Sequence, residues 1–260
     1  VTTSADFIGD LRGPSTAFPH FWEHTVGSGH ATLGLRADWQ TQLKRVHAEL
    51  GMRHVRFQGL LSDDMGTLIC QDDALLYSFF NADRIFDFLL SIGMKPFVEL
   101  SFMPTTLASG SQTVFHYRAN VTAPKDLAQW SVLIRKLTSH WVARYGLDEV
   151  RQWYFEVWNE PNLTAFGSGK QSDYFELYRY TVQAIKGVDN DLRVGGPATA
   201  ANAWIPKRRW EQMGEPEYLS DAMLQELQSE SLLRREHQPM SRRRGGEIRG
   251  RHAGTISGSD

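Results

Sequence analysis

Phe155-Glu156-Val157-Trp158-Asn159-Glu160-Pro161-Asn162-Leu163 is the stretch on which the reading of this chain turns. Residues Trp153 to Trp158 form a near-continuous apolar run, the pattern of a strand covered on both faces. Pro161 has no N–H to give a ladder, so pairing is expected to stop at the acid and leave Glu160 facing a pocket or solvent at the strand's mouth. A carboxylic acid in that place is a candidate proton donor. Glu156 is not its catalytic partner, because four residues of extended chain at ~3.3 Å each set the two carboxylates roughly 13 Å apart.

Working outward, strands and helices alternate. Leu35, Trp39, Leu43, Val46 and Leu50 recur at helical spacing, with Asp38 favouring the start and Gly51 supplying the stop. His54 to Leu60 reads as a strand. Asn81 is the expected cap of a second helix carrying Ile85, Phe86, Leu89 and Leu90 and ending at Gly93. Pro96 to Phe102 is the next strand, followed by a long Gly/Ser/Thr-rich loop. Pro124 is expected near the first turn of a third helix through Trp130, Ile134, Leu137 and Trp141 to Gly146. After the motif strand, Ser172 is the expected cap of a fourth helix with Phe175, Tyr178, Val182 and Ile185, closed at Gly187, and Leu192 to Pro197 is a further short strand. This order predicts an α/β fold with a parallel sheet.

Composition excludes more than it assigns. With 28 basic and 30 acidic residues the formal net charge is −2, which gives no overall electrostatic case for nucleic acid or an anionic membrane. Cys70 is the only cysteine, which excludes an intramolecular disulfide and a multi-cysteine metal site. No apolar run reaches the roughly 20 residues of a membrane span. His20 and His24 flank Phe-Trp-Glu in an order unlike a zinc-protease helix, and Gly27-Ser28-Gly29 lacks the third glycine of a dinucleotide turn, so no metal or cofactor is expected. The compartment stays open.

The motif resembles the acid/base motif of glycoside hydrolase family 39, and similar segments run in order along residues 1 to about 207: His20-Phe21-Trp22-Glu23, Leu35-Arg36-Ala37-Asp38-Trp39, Val55-Arg56-Phe57-Gln58-Gly59-Leu60, Glu99-Leu100-Ser101-Phe102-Met103-Pro104 and Arg193-Val194-Gly195-Gly196-Pro197. The bacterial β-xylosidase branch is the nearer likeness. The resemblance implies a (β/α)8 barrel, of which about five strands are legible once an early one around Phe21 to Val26 is added, with Glu160 at the carboxyl end of the fourth. It implies a retaining glycosidase acting on a xylo-oligosaccharide or other β-glycoside, with Glu160 as general acid and then base and Asn159 hydrogen-bonded to the sugar 2-hydroxyl. The branch carries a His at Gln58 that contacts the first sugar; Gln keeps donor and acceptor but no transferable proton, so sugar contact and a satisfied barrel-interior side chain are both open. Trp22, Phe102 and Trp158 are read as core aromatics before sugar platforms.

From Lys207 onward the likeness stops. Residues 208–260 contain no Phe and no Val, with nine Arg and nine acidic residues, too little apolar surface to offset the cost of ordering three more barrel strands. Altered reading frame, truncation and unrelated fusion all fit, the frame change best. None of the tail glutamates, Glu211 to Glu247, ends an apolar run, so no nucleophile is assigned. The expectation is a chain with its acid/base in place and slow turnover, the alternative being an inactive fragment that binds sugar weakly.

Overall fold

Gly27 and Gly29 interrupt the apolar alternation of Thr25–His30, yet this segment is the first strand, β1. The early strand expected at Phe21–Val26 therefore begins four residues late. Phe21–His24 is a 3-10 turn instead, closed by the Phe21 N–H on the Pro19 carbonyl and the Glu23 N–H on the His20 carbonyl. The computed structural model describes residues 13, 16–72, 74–163, 165–167 and 170–200. The charged tail expected over 208–260 lies outside them.

A second 3-10 turn, Ala31–Leu35, leads into helix α1, Ala37–Leu50, which Gly51 ends in the left-handed conformation at φ 70°. Strand β2 is His54–Gln58, and a hairpin follows, β3 (Leu68–Gln71) against β4 (Ala74–Tyr77), with Cys70 exposed on it. Helix α2 is Phe80–Ser91 and strand β5 is Lys95–Leu100. The long loop after β5 carries a two-residue pairing, β6 (Thr113–Val114) with β7 (Ala119–Asn120). Then come α3 (Leu127–Tyr145), the single turn α4 (Leu147–Val150), strand β8 (Tyr154–Val157), α5 (Gln171–Lys186) and β9 (Arg193–Gly195).

Three helix starts differ from expectation, each because another group satisfies the first-turn N–H groups or claims the expected cap. Asn81 lies inside α2 and its Nδ2 donates to the Met65 carbonyl, 3.1 Å away. Asp126, two residues past Pro124, caps α3 by accepting from the N–H groups of Ala128 and Gln129. Ser172 lies in the first turn of α5, where Asp173 reaches back to the Lys170 N–H at 2.8 Å.

The five longer-range strands pair in parallel in the order β1-β2-β5-β8-β9, with Arg56 opposite Phe97, Phe97 opposite Tyr154 and Tyr154 opposite Arg193. Alternation sorts their side chains into two faces. Val55, Phe57, Val98, Leu100, Phe155 and Val157 are buried, and rings of this set meet the helices: Phe57 lies 6.4 Å from Phe86 of α2 and Phe155 lies 6.3 Å from Trp141 of α3. Trp130 of α3 joins α5 by donating its indole N–H to Thr181. The other face carries Arg56, Gln58, Glu99, Tyr154, Glu156 and Arg193. The motif strand is thus apolar on its helix face and polar on the other, where the sequence alone suggested cover on both. Among the described residues no helix is long and apolar enough to cross a membrane.

Candidate active site

Glu160 lies three residues past the end of β8. Regular pairing ends at Val157, and the last backbone bond before Pro161 is the Glu160 N–H donating to the Ala198 carbonyl at 2.9 Å. Trp158 and Glu160 both take left-handed backbone, φ 69° and 46°, an unfavourable conformation for residues with side chains. What holds them there is a short-range frame: the Leu163 N–H reaches the Glu160 carbonyl, and Asn162 exchanges two hydrogen bonds with the backbone of Ala200 at 3.1 and 2.8 Å. The turn is pinned to the segment leaving β9, so the acid is aimed by backbone.

Asn159 is buried and both ends of its amide are engaged. Arg56 Nη2 donates to Asn159 Oδ1 at 3.0 Å, and Asn159 Nδ2 donates to Gln58 Oε1 at 3.3 Å. The three sequence-predicted residues, Gln58, Asn159 and Glu160, therefore gather at the carboxyl ends of β2 and β8. Gln58 completes its own amide by donating to the Tyr117 hydroxyl at 3.1 Å.

Arg56 is the hub that sequence reasoning passed over. Its Nε and Nη2 donate to the two oxygens of Glu156 at 2.6 and 3.1 Å, and Nη2 lies 2.8 Å from Glu99 Oε2, an ion-pair approach without hydrogen-bond alignment. Glu99 is 1% exposed, and its other oxygen accepts from the Ser101 hydroxyl. Burial, with the neighbouring charges of Glu156 and Glu160, outweighs the attraction of Arg56 and pushes the Glu99 carboxyl up to about 8. One guanidinium faces three carboxylates, and the most deeply buried of them keeps its proton. The available signal was parity: Arg56, Gln58, Glu99 and Glu156 all fall on the same alternate positions of their strands, opposite in phase to the buried apolar residues.

An aromatic wall borders the site. Phe102 packs edge-on to Trp158 at 5.6 Å, and Phe115 lies 6.2 Å from Phe102, 5.4 Å from Phe166 and 5.2 Å from Tyr117. Phe102 and Trp158 are buried, in keeping with core aromatics, and the Trp158 indole N–H is satisfied by the Phe166 carbonyl at 2.6 Å. Trp22 is 39% exposed and stacks on His20 at 4.6 Å, while His20 pairs with Glu23 at 2.6 Å. His24 stacks on His54, with centroids 4.8 Å apart.

Comparison with known proteins gives the same lineage. The profile of glycosyl hydrolases family 39 matches residues 10–207. A beta-xylosidase of Caldicellulosiruptor saccharolyticus is 58% identical over 189 residues, covering 72% of this chain and 39% of that protein. A beta-xylosidase of Geobacillus stearothermophilus is 45% identical over 195 residues, with the same coverage of 72% and 39%. The chain thus spans about two-fifths of the length of these relatives. In three dimensions it is similar to a family 39 beta-xylosidase of Caulobacter crescentus, with a TM-score of 0.69 and 42% identity over 79% of this chain and 47% of that one. The chain belongs to glycosyl hydrolases family 39.

Proposed function

We propose that this chain is the amino-terminal part of a (β/α)8 barrel of a retaining β-xylosidase that releases xylose from the ends of xylo-oligosaccharides. The observation that carries the reading is the doubly anchored Asn159 beside Glu160 at the carboxyl ends of β2 and β8, where barrel enzymes place their chemistry. Glu160 protonates the leaving oxygen and then, as carboxylate, takes a proton from the attacking water. Asn159, fixed by Arg56 and Gln58, presents its remaining donor to the sugar 2-hydroxyl, an interaction that strengthens as positive charge develops on the ring. Gln58 holds Asn159 and borders the first sugar subsite. No residue of this chain is assigned as the nucleophile.

A second reading, sugar binding without turnover, has one observation in its favour. The other carboxylates on this face, Glu99 and Glu156, are both engaged by Arg56, so neither is free to attack an anomeric carbon.

The test compares the purified chain with Glu160→Gln on two aryl β-xylosides, one with a poor leaving group and one with a good one. Proton donation contributes about 10²–10⁴-fold, and only the poor leaving group demands it. Turnover of the unaltered chain is expected to be slow without an assigned nucleophile, and the variant should lose at least about 10²-fold of it on the first substrate and far less on the second. Equal losses on both would reject Glu160 as the acid. No turnover by either protein, with D-xylose still bound, would favour the second reading.

A further inference from the structure

Arg56 fixes the polarity of a hydrogen-bonded chain that ends outside the sheet. A guanidinium can only donate, so Asn159 must turn Oδ1 towards Arg56 and Nδ2 towards Gln58. Gln58 must then accept with Oε1 and donate with Nε2, and the acceptor it meets is the Tyr117 hydroxyl. Tyr117 comes from the turn between β6 and β7, in a loop 59 residues away from Gln58.

That hydroxyl is held unusually well for a loop residue. The Tyr117 ring lies face to face on His30, with centroids 3.6 Å apart and planes 5° from parallel, and Phe115 flanks the other side at 5.2 Å. His30 sits opposite Gln58 in the β1–β2 register. Its Nδ1 meets Thr32 Oγ1 at 2.9 Å, and its Nε2 lies 3.3 Å from Asp64 Oδ2. Gly59, at φ 77°, leaves room for the ring: a Cβ there would stand 2.8 Å from His30 Cδ2. The backbone of Phe115 and Arg118 is left-handed, φ 61° and 54°, so the turn presents Tyr117 in a constrained pose. Burial pushes the Tyr117 hydroxyl up to about 12, so it stays protonated at neutral pH.

We propose that Tyr117 is a positioning residue of the sugar site: stacked on His30, it orients the Gln58 amide and, through it, the Asn159 amide that meets the substrate. This rests on the reading of Asn159 as the 2-hydroxyl partner. The Gln58 side chain turns about three bonds, and the hydrogen bond to Tyr117 removes that freedom from its amide.

The experiment reads the side-chain amide resonances of Gln58 and Asn159 in ¹H–¹⁵N spectra, then the binding of D-xylose and of its 2-deoxy analogue. Tyr117→Phe keeps the ring stack and deletes only the oxygen. We expect it to shift the Gln58 Nε2 pair and, one link further, the Asn159 Nδ2 pair. Gln58→Leu should shift Asn159 by itself and make Tyr117→Phe silent there. Tyr117→Phe should weaken D-xylose about three- to tenfold, the worth of one neutral hydrogen bond, and leave the 2-deoxy analogue unchanged. An Asn159 pair that ignores Tyr117→Phe, or equal weakening of both sugars, would overturn the proposal. If D-xylose disturbs neither amide in the unaltered chain while Tyr117→Phe still moves Asn159, the positioning role stands and the sugar-site reading fails.

Discussion

Replacing Glu99 by Gln tests whether the Glu99 carboxyl, buried on the polar face, keeps its proton in the folded chain. Folding raises the Glu99 carboxyl from an ordinary 4.5 to about 8, chiefly by burial. Over the interval between those values the folded chain keeps a proton that the unfolded chain has released. Stability from this group is therefore complete below about pH 4.5 and drains away as pH rises towards 8. At about 1.36 kcal/mol per pH unit the interval is worth at most about 5 kcal/mol, and relaxation around the buried group brings the expectation to about 2–5 kcal/mol. Gln copies the protonated acid: its carbonyl faces Arg56 Nη2, and its amide N–H takes the place of the carboxyl proton and donates to Ser101 Oγ, the hydroxyl turning from donor to acceptor. Urea unfolding of both proteins at pH 5, 6, 7 and 8 reads the difference directly. The histidines depressed by burial, His30 and His54, titrate in both and cancel. We expect near-equal stability at pH 5 and an advantage for Glu99→Gln that grows to about 2–5 kcal/mol by pH 8. An advantage that stays flat from pH 5 to 8 would mean that Arg56 holds Glu99 ionised in the folded chain, and that burial does not win over the ion pair.

Arg56→Met should cost about 3–5 kcal/mol at pH 7, since Glu156 and Glu99 both lose the guanidinium they pair with; adding Glu156→Gln should return part of that loss in the same denaturant titration. Asp126→Ala removes the oxygen that accepts from the Ala128 and Gln129 N–H groups, and should lower stability by about 1 kcal/mol while leaving xylose binding untouched. Phe155→Ala opens the contact between β8 and Trp141 of α3, and should cost about 3–5 kcal/mol by the same assay.

The strands and helices were legible because each buries one face at its own period, and the five strands fall within a few residues of expectation. Their ends were less so. The starts of α2, α3 and α5 depend on which oxygen reaches a free N–H, and Asn81, Pro124 and Ser172 were each displaced by a partner that the local pattern does not reveal. The strand at Thr25–His30 was obscured by its glycines, whose lack of side chains removes the alternation that marks a strand.

The site divides along the same physical line. Asn159 and Glu160 announce themselves because the chemistry sits beside a strand end in one stretch of sequence. What fixes them comes from afar: Arg56 reaches Glu156 across 100 residues and Asn159 across 103, and Gln58 reaches Tyr117 across 59. A charged residue on an alternating strand has two explanations, an exposed face or a buried pair, and periodicity treats them alike. Only the register that sets β2, β5 and β8 side by side turns Arg56, Glu99 and Glu156 into one cluster with more acid than base. The proton retained on Glu99 is a property of that juxtaposition, and no stretch of the sequence contains it.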